Sequence, residues 1–180
     1  FQGVRISLFN YNDTGKPGGY ADFDNFTVDE PRARGVERAL PIGRTIILSS
    51  GADGSLLAVD TQKMSLVNIA ADTSAAAGQN AQFQVVDLGQ GHVALKTASS
   101  RLVSVADDVV ILKNLTGKMP GEAEWFQWIN LMRGDTMLMS LVNHRYLTTK
   151  PHNPGVVAIS ATGPRPDRKG GACFRWKTIQ

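Results

Sequence analysis

The stretch TIILSSGADGSLLAV (Thr45–Val59) decides the fold, because its pattern occurs three times along the chain. The second copy reads HVALKTASSRLVSV (92–105) and the third reads TMLMSLVNHRYLTT (136–149). Each copy is followed by a second apolar strand and then by a strand that contains a phenylalanine. The second apolar strands begin at Ser65, Val109 and Val156, and the phenylalanines are Phe83, Phe126 and Phe174. A repeat at this spacing indicates that similar supersecondary units are joined into one architecture.

A closed all-β fold accounts for this repeat. Apolar residues fall at alternate places on the first strand of a copy, as at Ile46 and Leu48, which is typical of a strand with one buried face. Turn-forming residues separate the strands, and no stretch has a sustained helical period. Three units are fewer than the roughly 4–8 blades of a propeller, whereas a barrel leaves no open sheet edge. The sequence therefore predicts an all-β protein in which residues 43–180 form a β-trefoil of three four-stranded repeats.

Superposing the three copies also predicts the core. Residues at equivalent places should be buried together, since side chains two apart on a strand share a face. The predicted sets are Leu57, Val103 and Leu147; Leu66, Val110 and Val156; Phe83, Phe126 and Phe174; and Val85, Trp128 and Trp176.

The composition excludes several classes of protein. A hydrophobic content of 42% and a charged content of 19% are ordinary for a globular domain. The net charge of +3 is small and scattered, so we expect no nucleic-acid partner. No apolar run is long enough to span a bilayer, so we expect no membrane partner. The single cysteine, Cys173, allows no intrachain disulfide, and we expect it to be a buried or half-buried, unreactive thiol.

The first part of the chain does not match the repeat. GVRISLFN (3–10) and YADFDNFTVDEP (20–31) are predicted to be two further strands, joined by a polar, glycine-rich turn. Two strands alone are marginally stable in water, so another sheet or the repeat domain must cover their apolar side. Residues 32–42 are rich in arginine and bounded by proline, which is typical of a linker.

Two family resemblances bear on this organisation. GVRISLFNYN with GGYADFDNFTV resembles the last two strands of the β-sandwich that follows the propeller in family 43 glycoside hydrolases, which act as β-xylosidases and arabinofuranosidases. The repeat domain resembles fascin-like β-trefoils in HVALKTASSRLVSV and LVNHRYLTT. Together they imply that residues 1–31 are the last strands of a β-sandwich domain, 32–42 a linker and 43–180 a β-trefoil domain. The Gln-x-Trp signature of ricin-type sugar-binding trefoils is absent, so no site is carried over from that family.

The resemblance to family 43 implies a function. It suggests a non-catalytic C-terminal region of a secreted or periplasmic glycoside hydrolase, which binds plant polysaccharide such as xylan or arabinoxylan or docks the upstream catalytic domain. The expected partners are thus a polysaccharide or oligosaccharide and that catalytic domain. Two alternatives remain open at this point: a fascin-like actin-binding module, or a structural spacer without a ligand.

Catalysis by this chain itself is not expected. Glycoside hydrolysis requires two placed carboxylates, and the closest groupings are Asp107 with Asp108 and Glu122 with Glu124. Aspartates in a turn serve local hydrogen bonding, and the two glutamates flank a polar loop before a strand. The sequence therefore predicts no catalytic residue, although the parent enzyme would be a hydrolase of β-xylosidase or arabinofuranosidase type.

Sugar binding is expected to use an aromatic platform flanked by planar polar side chains. Tyr146 is one candidate platform, and the third copy places Asn143, His144 and Arg145 beside it, with His152 close in sequence. Trp125 is the second candidate, because it precedes a core phenylalanine and should face away from the core. The alternatives are that Tyr146 is structural and that Trp125 packs against the N-terminal strands.

Asp22 and Asp24 form a separate candidate site for a metal ion. They alternate with Phe23, so both carboxylates should lie on one face of a strand, where they repel unless a cation joins them. A calcium ion bound by carboxylate oxygens is one interpretation. An ion pair with Arg5 across the hairpin is the other. No further cofactor is predicted.

Overall fold

The computed structural model describes residues 39–71, 78–114, 119–131, 134–152 and 159–179. The chain divides between Arg32 and Ala33 into two units, and the described residues all belong to the second. The predicted strands of residues 1–31, with Asp22 and Asp24, lie outside the described residues. The assignment of residues 1–31 to a sandwich domain and of 32–42 to a linker therefore stays a prediction, as does the calcium site.

The described residues form twelve β-strands, all in one antiparallel sheet. Two short 3-10 turns, Gly78–Ala81 and Glu122–Glu124, precede β4 and β8. The strands are β1 (Thr45–Ser50), β2 (Leu56–Asp60), β3 (Ser65–Ile69), β4 (Phe83–Gly89), β5 (His92–Thr97), β6 (Arg101–Ala106), β7 (Val109–Asn114), β8 (Phe126–Asn130), β9 (Thr136–Ser140), β10 (Tyr146–Thr148), β11 (Ser160–Gly163) and β12 (Phe174–Thr178). Within the described ranges, no helix has the length and apolar character needed to cross a membrane.

Ten of these strands close into an antiparallel barrel. The ring runs from β1 through β2, β3, β7, β11, β10, β9, β8, β5 and β4 and returns to β1. The two extra strands each pair with two members of the ring: β6 with β5 and β7, and β12 with β1 and β9. The closure removes the open sheet edges that would otherwise invite aggregation.

The predicted fold class, a β-trefoil of three four-stranded repeats behind a sandwich remnant, is corrected by this topology. The protein is all-β, as predicted, but its strands close into one ten-stranded antiparallel barrel with two extra strands instead of three separate four-stranded units. Strands pair within a copy, as β2 does with β3 and β6 with β7, and long ladders also join neighbouring copies: β4 with β5, β8 with β9, and β12 with β1. The physical reason is edge closure, since a four-stranded unit would leave two rows of backbone groups unpaired. Similarity between the copies revealed their equivalent positions and not how they are joined.

The predicted core is confirmed at most positions. One hydrophobic cluster fills the barrel. Two of the predicted sets are fully buried in it at every position, and the other two sets are fully buried in part. The fully buried residues of the four sets are Leu57, Val103, Leu147, Phe83, Phe126, Phe174, Leu66, Val110 and Val85. Trp128 is also buried, while Trp176 is partly buried and packs against the cluster, its ring 6.3 Å from that of Trp128 between centroids at an interplanar angle of 76°. Alternation of burial along β1 follows the period of two that the sequence showed.

In the third copy, one of the predicted core positions is not tested. Val156, which the superposition placed in the core, lies outside the described residues. Ile159, the first described residue after that gap, is fully buried in the cluster, and its N–H donates to the carbonyl oxygen of Leu66 at 2.8 Å. The connection from β10 to β11 is longer than its counterparts in the first two copies, and β11 begins at Ser160.

Cys173 is buried at the end of the loop before β12, as the sequence predicted. Burial raises the pKa of its thiol, and the nearby carboxylates of Asp135 and Asp167 raise it further. Because the thiolate is the reactive form, this environment disfavours reaction of the thiol.

Candidate functional site

Asn143 joins the third copy to the second. It lies in the turn between β9 and β10, where its Oδ1 accepts a hydrogen bond from the Arg145 N–H at 3.1 Å. Its Nδ2 donates to the Asp108 carboxylate at 2.6 Å and to the Ala161 carbonyl at 2.9 Å. One amide thus fixes its own turn, the turn between β6 and β7, and the start of β11.

Asp107 and Asp108 form the tip of the β6–β7 hairpin. Ala106 and Val109 pair on either side of them, and both aspartates have left-handed backbone angles, with φ of 47° and 65°. Left-handed angles at both central residues define the turn that best matches the twist of a two-residue hairpin, and aspartate tolerates that conformation. The turn therefore presents two exposed carboxylates side by side.

These two turns enclose a recess of about 570 Å³, which we name the acidic recess. Its lining residues combine carboxylates, an amide and aliphatic groups: Val105, Ala106, Asp107, Asp108, Val142 and Asn143. Val142 is 46% exposed although it is apolar. The recess therefore offers hydrogen-bond acceptors for hydroxyl groups beside methyl groups for an apolar ligand face.

Of the residues predicted around Tyr146, Asn143 lines the acidic recess. His144 and Arg145 follow it on the same exposed turn, but the lining does not include them. Tyr146 is half-buried on β10, paired with Met139 and Gly163. A Cβ added at Gly163 would lie 3.1 Å from the Tyr146 Cβ, so the two backbones approach closely.

His152 contacts the first copy rather than the acidic recess. Its backbone N–H donates to Oδ2 of Asp53 at 2.7 Å, and its φ of 65° is left-handed. Asp53 also accepts from the N–H and the hydroxyl of Ser55, at 3.1 and 2.7 Å. Burial of the Asp53 carboxyl favours its neutral form, but hydrogen bonds from His152, Ser55 and Ser50 outweigh it and lower the pKa to about 2.

We predict that Asp53 makes stability depend on pH below neutrality. The pKa of its carboxyl in the folded state is about 2, below the ordinary 3.8. The ionised carboxylate therefore stabilises the fold fully above pH 3.8, and this stabilisation is lost as the pH falls through 2. Asp53→Asn should lower the free energy of unfolding by about 1 kcal/mol at pH 7, a figure reduced for solvent screening. The difference between wild type and variant, measured by urea unfolding, should shrink between pH 4 and pH 2. A difference that stays constant over that range would contradict the assignment.

Trp125 is anchored within the second copy. Its indole N–H donates to the Pro120 carbonyl at 3.0 Å, and its ring centroid lies 5.8 Å from that of His92 at an interplanar angle of 37°. The side chain is half-buried, so one part of the ring remains accessible. The alternative in which Trp125 packs against the N-terminal strands concerns residues outside the described part.

Glu124 is held in a buried hydrogen-bonding network. It is 5% exposed, and its carboxylate accepts hydrogen bonds from the Ser104 hydroxyl and the Gly121 N–H, both at 2.7 Å. The Lys113 ammonium lies 3.8 Å away. These contacts satisfy the carboxylate, so a structural role explains it without catalysis. Across the described ranges, no group of three or more His, Cys, Asp and Glu side chains is arranged to hold a metal ion.

Sequence reasoning missed the part that the β6–β7 turn plays in the recess. The sequence predicts only a turn at Asp107 and Asp108, and it contains no signal for Val142. The only signal in the sequence is that polar residues form turns in two neighbouring copies, Asp107-Asp108 between β6 and β7 and Asn143 between β9 and β10, at places that are not equivalent.

Comparison with known proteins gives the fold and no family. No protein-family model matches the chain, and no curated protein matches it. A designed threefold symmetric protein, ThreeFoil, has 17% identity and a TM-score of 0.62 over 73% of this chain and 96% of its own. The protein SeviL, solved bound to asialo-GM1 saccharide, has 8% identity and a TM-score of 0.59, covering 76% and 98% of the two chains.

A larger enzyme also contains this fold. The GlcNAcα1-4Gal-releasing endo-β-galactosidase of Clostridium perfringens has 10% identity and a TM-score of 0.60 over 76% of this chain, which matches 33% of the enzyme. At these identities the likeness extends to the fold alone. The chain therefore shares its closed β-fold with a designed protein, a saccharide-bound protein and part of a glycosidase.

Proposed function

We propose that this chain is a non-catalytic carbohydrate-binding region whose sugar site is the acidic recess. The observation that carries the proposal is the position of Asp107 and Asp108 beside Asn143 and the exposed Val142, in one recess between two hairpin turns. The saccharide bound to SeviL, a protein with a similar fold, supports the class of ligand.

The chemistry of the recess fits a neutral sugar. Carboxylate oxygens accept hydrogen bonds from hydroxyl groups, and such charge-assisted bonds are stronger than those between neutral groups. The methyl groups of Val142 can lie against the C–H face of the ring. Among the described residues that line the recess are two carboxylates and no cation, so an acidic sugar would be repelled.

The fixed geometry of the turn reduces the entropic cost of binding. Asn143 holds the Asp108 carboxylate in place through the 2.6 Å hydrogen bond, so this group need not be ordered by the ligand. Affinity for one short sugar should still be weak, because a shallow site buries few atoms, each contributing at most ~0.3–1.5 kcal/mol. Attachment to a polymer at several points would strengthen it.

The natural ligand and context are proposed from the resemblance of the N-terminal residues to family 43 enzymes. On that basis the chain is the C-terminal region of a secreted or periplasmic glycoside hydrolase and binds xylan or arabinoxylan for the catalytic domain. His144 and Arg145, exposed on the turn of Asn143, are proposed contacts to a second sugar unit. Sugar contacts by Tyr146, His152 and Trp125 stay predictions.

The site is tested by variants that preserve the turn. Asp107→Asn keeps the size of the side chain and its tolerance of left-handed angles, while it removes the charge. We expect it to weaken binding of a neutral arabinoxylan oligosaccharide at least fivefold in isothermal titration calorimetry, because one charge-assisted hydrogen bond becomes a neutral one. Val142→Ser should weaken binding through loss of its apolar contact. Glu122→Gln is the matched control and should have no effect, since this exposed glutamate is not part of the lining.

Two outcomes would contradict the proposal. Undiminished binding by both recess variants, shown to be folded by circular dichroism, would place the sugar elsewhere. Absence of binding to a panel of neutral polysaccharides by the wild type would leave the spacer interpretation in its place.

A further inference from the structure

Two adjoining recesses lie over strands β4 and β5, on a surface formed by the first and second copies. We name the first the apolar recess, since Ile42, Leu88 and Met119 line it, and its volume is about 390 Å³. The second, the polar recess, is lined by Gln79, Gln82 and other polar residues and has a volume of about 270 Å³. Gln84, Lys96 and Ser100 line both of them, so the recesses are continuous. Their combined size is in the range of pockets that hold small ligands.

The lining of the apolar recess includes apolar side chains that are exposed to solvent. Ile42 and Met119 are 37% and 65% exposed, and both belong to its lining. Val86, Leu88 and Leu102 are among its other apolar lining residues. Exposed apolar residues gathered around a concavity mark a binding surface more often than single exposed residues do.

The polar recess is lined by amides, hydroxyls and one cation. Gln79, Gln82 and Gln84 form no side-chain hydrogen bond with another described residue, so their donors and acceptors are available to a ligand. Lys96 is half-buried, and it forms no ion pair with another residue of the described ranges. No carboxylate is among the described residues that line this recess.

Lys96 is placed where the two recesses meet. It pairs with Gln84 on β4 and with Leu102 on β6, so one row across three strands carries an amide, a cation and an apolar side chain. The carboxylate of Asp87, in the apolar recess, already accepts the Gly89 N–H at 2.9 Å. Because the described residues that line the polar recess include no carboxylate, the positive charge of Lys96 has no partner of opposite sign there.

We propose that these joined recesses form a second binding site, specific for an acidic glycoside with an apolar aglycone. The uronate unit occupies the polar recess, where its carboxylate pairs with Lys96 and its hydroxyls bond to the glutamine amides. The aglycone occupies the apolar recess against Leu88 and Met119. A long acyl chain is disfavoured, because the amide-lined half would leave its own polar groups unpaired. The acidic recess has the opposite sign of charge, so the two sites select different sugars.

The test compares three probes on the complete chain: 4-nitrophenyl β-glucuronide, 4-nitrophenyl β-glucoside and free glucuronate. Isothermal titration calorimetry should give the tightest binding for the aryl glucuronide, with each of the other two at least fivefold weaker, because each lacks one recognised group. Lys96→Met should reduce the affinity for the aryl glucuronide to that for the aryl glucoside and leave the glucoside unchanged. Lys150→Met, at an exposed lysine away from both linings, is the matched charge control and should have no effect.

Further variants separate this site from the proposed function. Asp107→Asn should leave binding of the aryl glucuronide unchanged, and Lys96→Met should leave binding of neutral arabinoxylan unchanged. Gln84→Ala, at an exposed position, is a second variant and should weaken aryl glucuronide binding if Lys96→Met proves unstable. Equal affinity for the glucuronide and the glucoside, or an equal loss in Lys96→Met and Lys150→Met, would overturn the proposal.

Discussion

Phe126→Ala is expected to lower the free energy of unfolding by about 3–5 kcal/mol, the largest effect of any substitution considered. Phe126 is fully buried, and on β8 it pairs with Val93 and Ser140, so it links two neighbouring copies. Alanine would leave a cavity that the surrounding barrel cannot fill, since strands paired on both sides resist collapse. Urea unfolding followed by tryptophan fluorescence measures the loss.

The repeat supplies the comparison for this prediction. Phe83→Ala and Phe174→Ala should cost similar amounts, because both side chains are fully buried in the same cluster. Val109→Ala is the control: its side chain is half exposed at the start of β7, and the change should stay within about 0.5 kcal/mol. A loss below about 1 kcal/mol for Phe126→Ala would contradict the closed, tightly packed barrel.

Glu124→Leu is expected to lower the free energy of unfolding by about 3 kcal/mol. The carboxylate accepts two hydrogen bonds in a buried position, from Ser104 and Gly121, and leucine leaves both donors without an acceptor. Glu124→Gln should cost less, since its amide oxygen can still accept one of these bonds. Chemical unfolding of the two variants measures the difference.

A double-mutant cycle identifies the network as the cause. Ser104→Ala combined with Glu124→Leu should cost less than the sum of the two single changes, because the pair shares one hydrogen bond. Glu122→Ala is the neighbouring control and should be nearly neutral, since Glu122 is exposed. Additive effects of Ser104→Ala and Glu124→Leu would mean that the two groups act independently.

The core could be predicted from the sequence because burial follows local periodicity. Leu57, Val103 and Leu147 occupy equivalent places in three copies, and all three are fully buried. The prediction for Val156 stays untested, because that residue lies outside the described part of the chain. The way in which the copies are joined could not be read from their similarity, because strand pairing between copies depends on edge closure and leaves no local pattern.

The candidate site was predictable only in part, for a related reason. Asn143 was identified from its polar neighbours, but its partner Asp108 lies 35 residues earlier in the chain. Their contact arises because β11 pairs with β7, which brings the turns of the second and third copies together. Glu124 shows the same limit: its role depends on Ser104 from a strand that precedes it by 20 residues.

The most direct test of sugar binding at the acidic recess is a titration of the ¹⁵N-labelled chain with a neutral arabinoxylan oligosaccharide, followed by amide chemical shifts. The account predicts that saturable shifts concentrate on Val105, Asp107, Asp108, Val142 and Asn143, and that the Kd obtained from them rises at least fivefold in Asp107→Asn. Shifts confined to other surfaces, or none at oligosaccharide concentrations in the millimolar range, would contradict it.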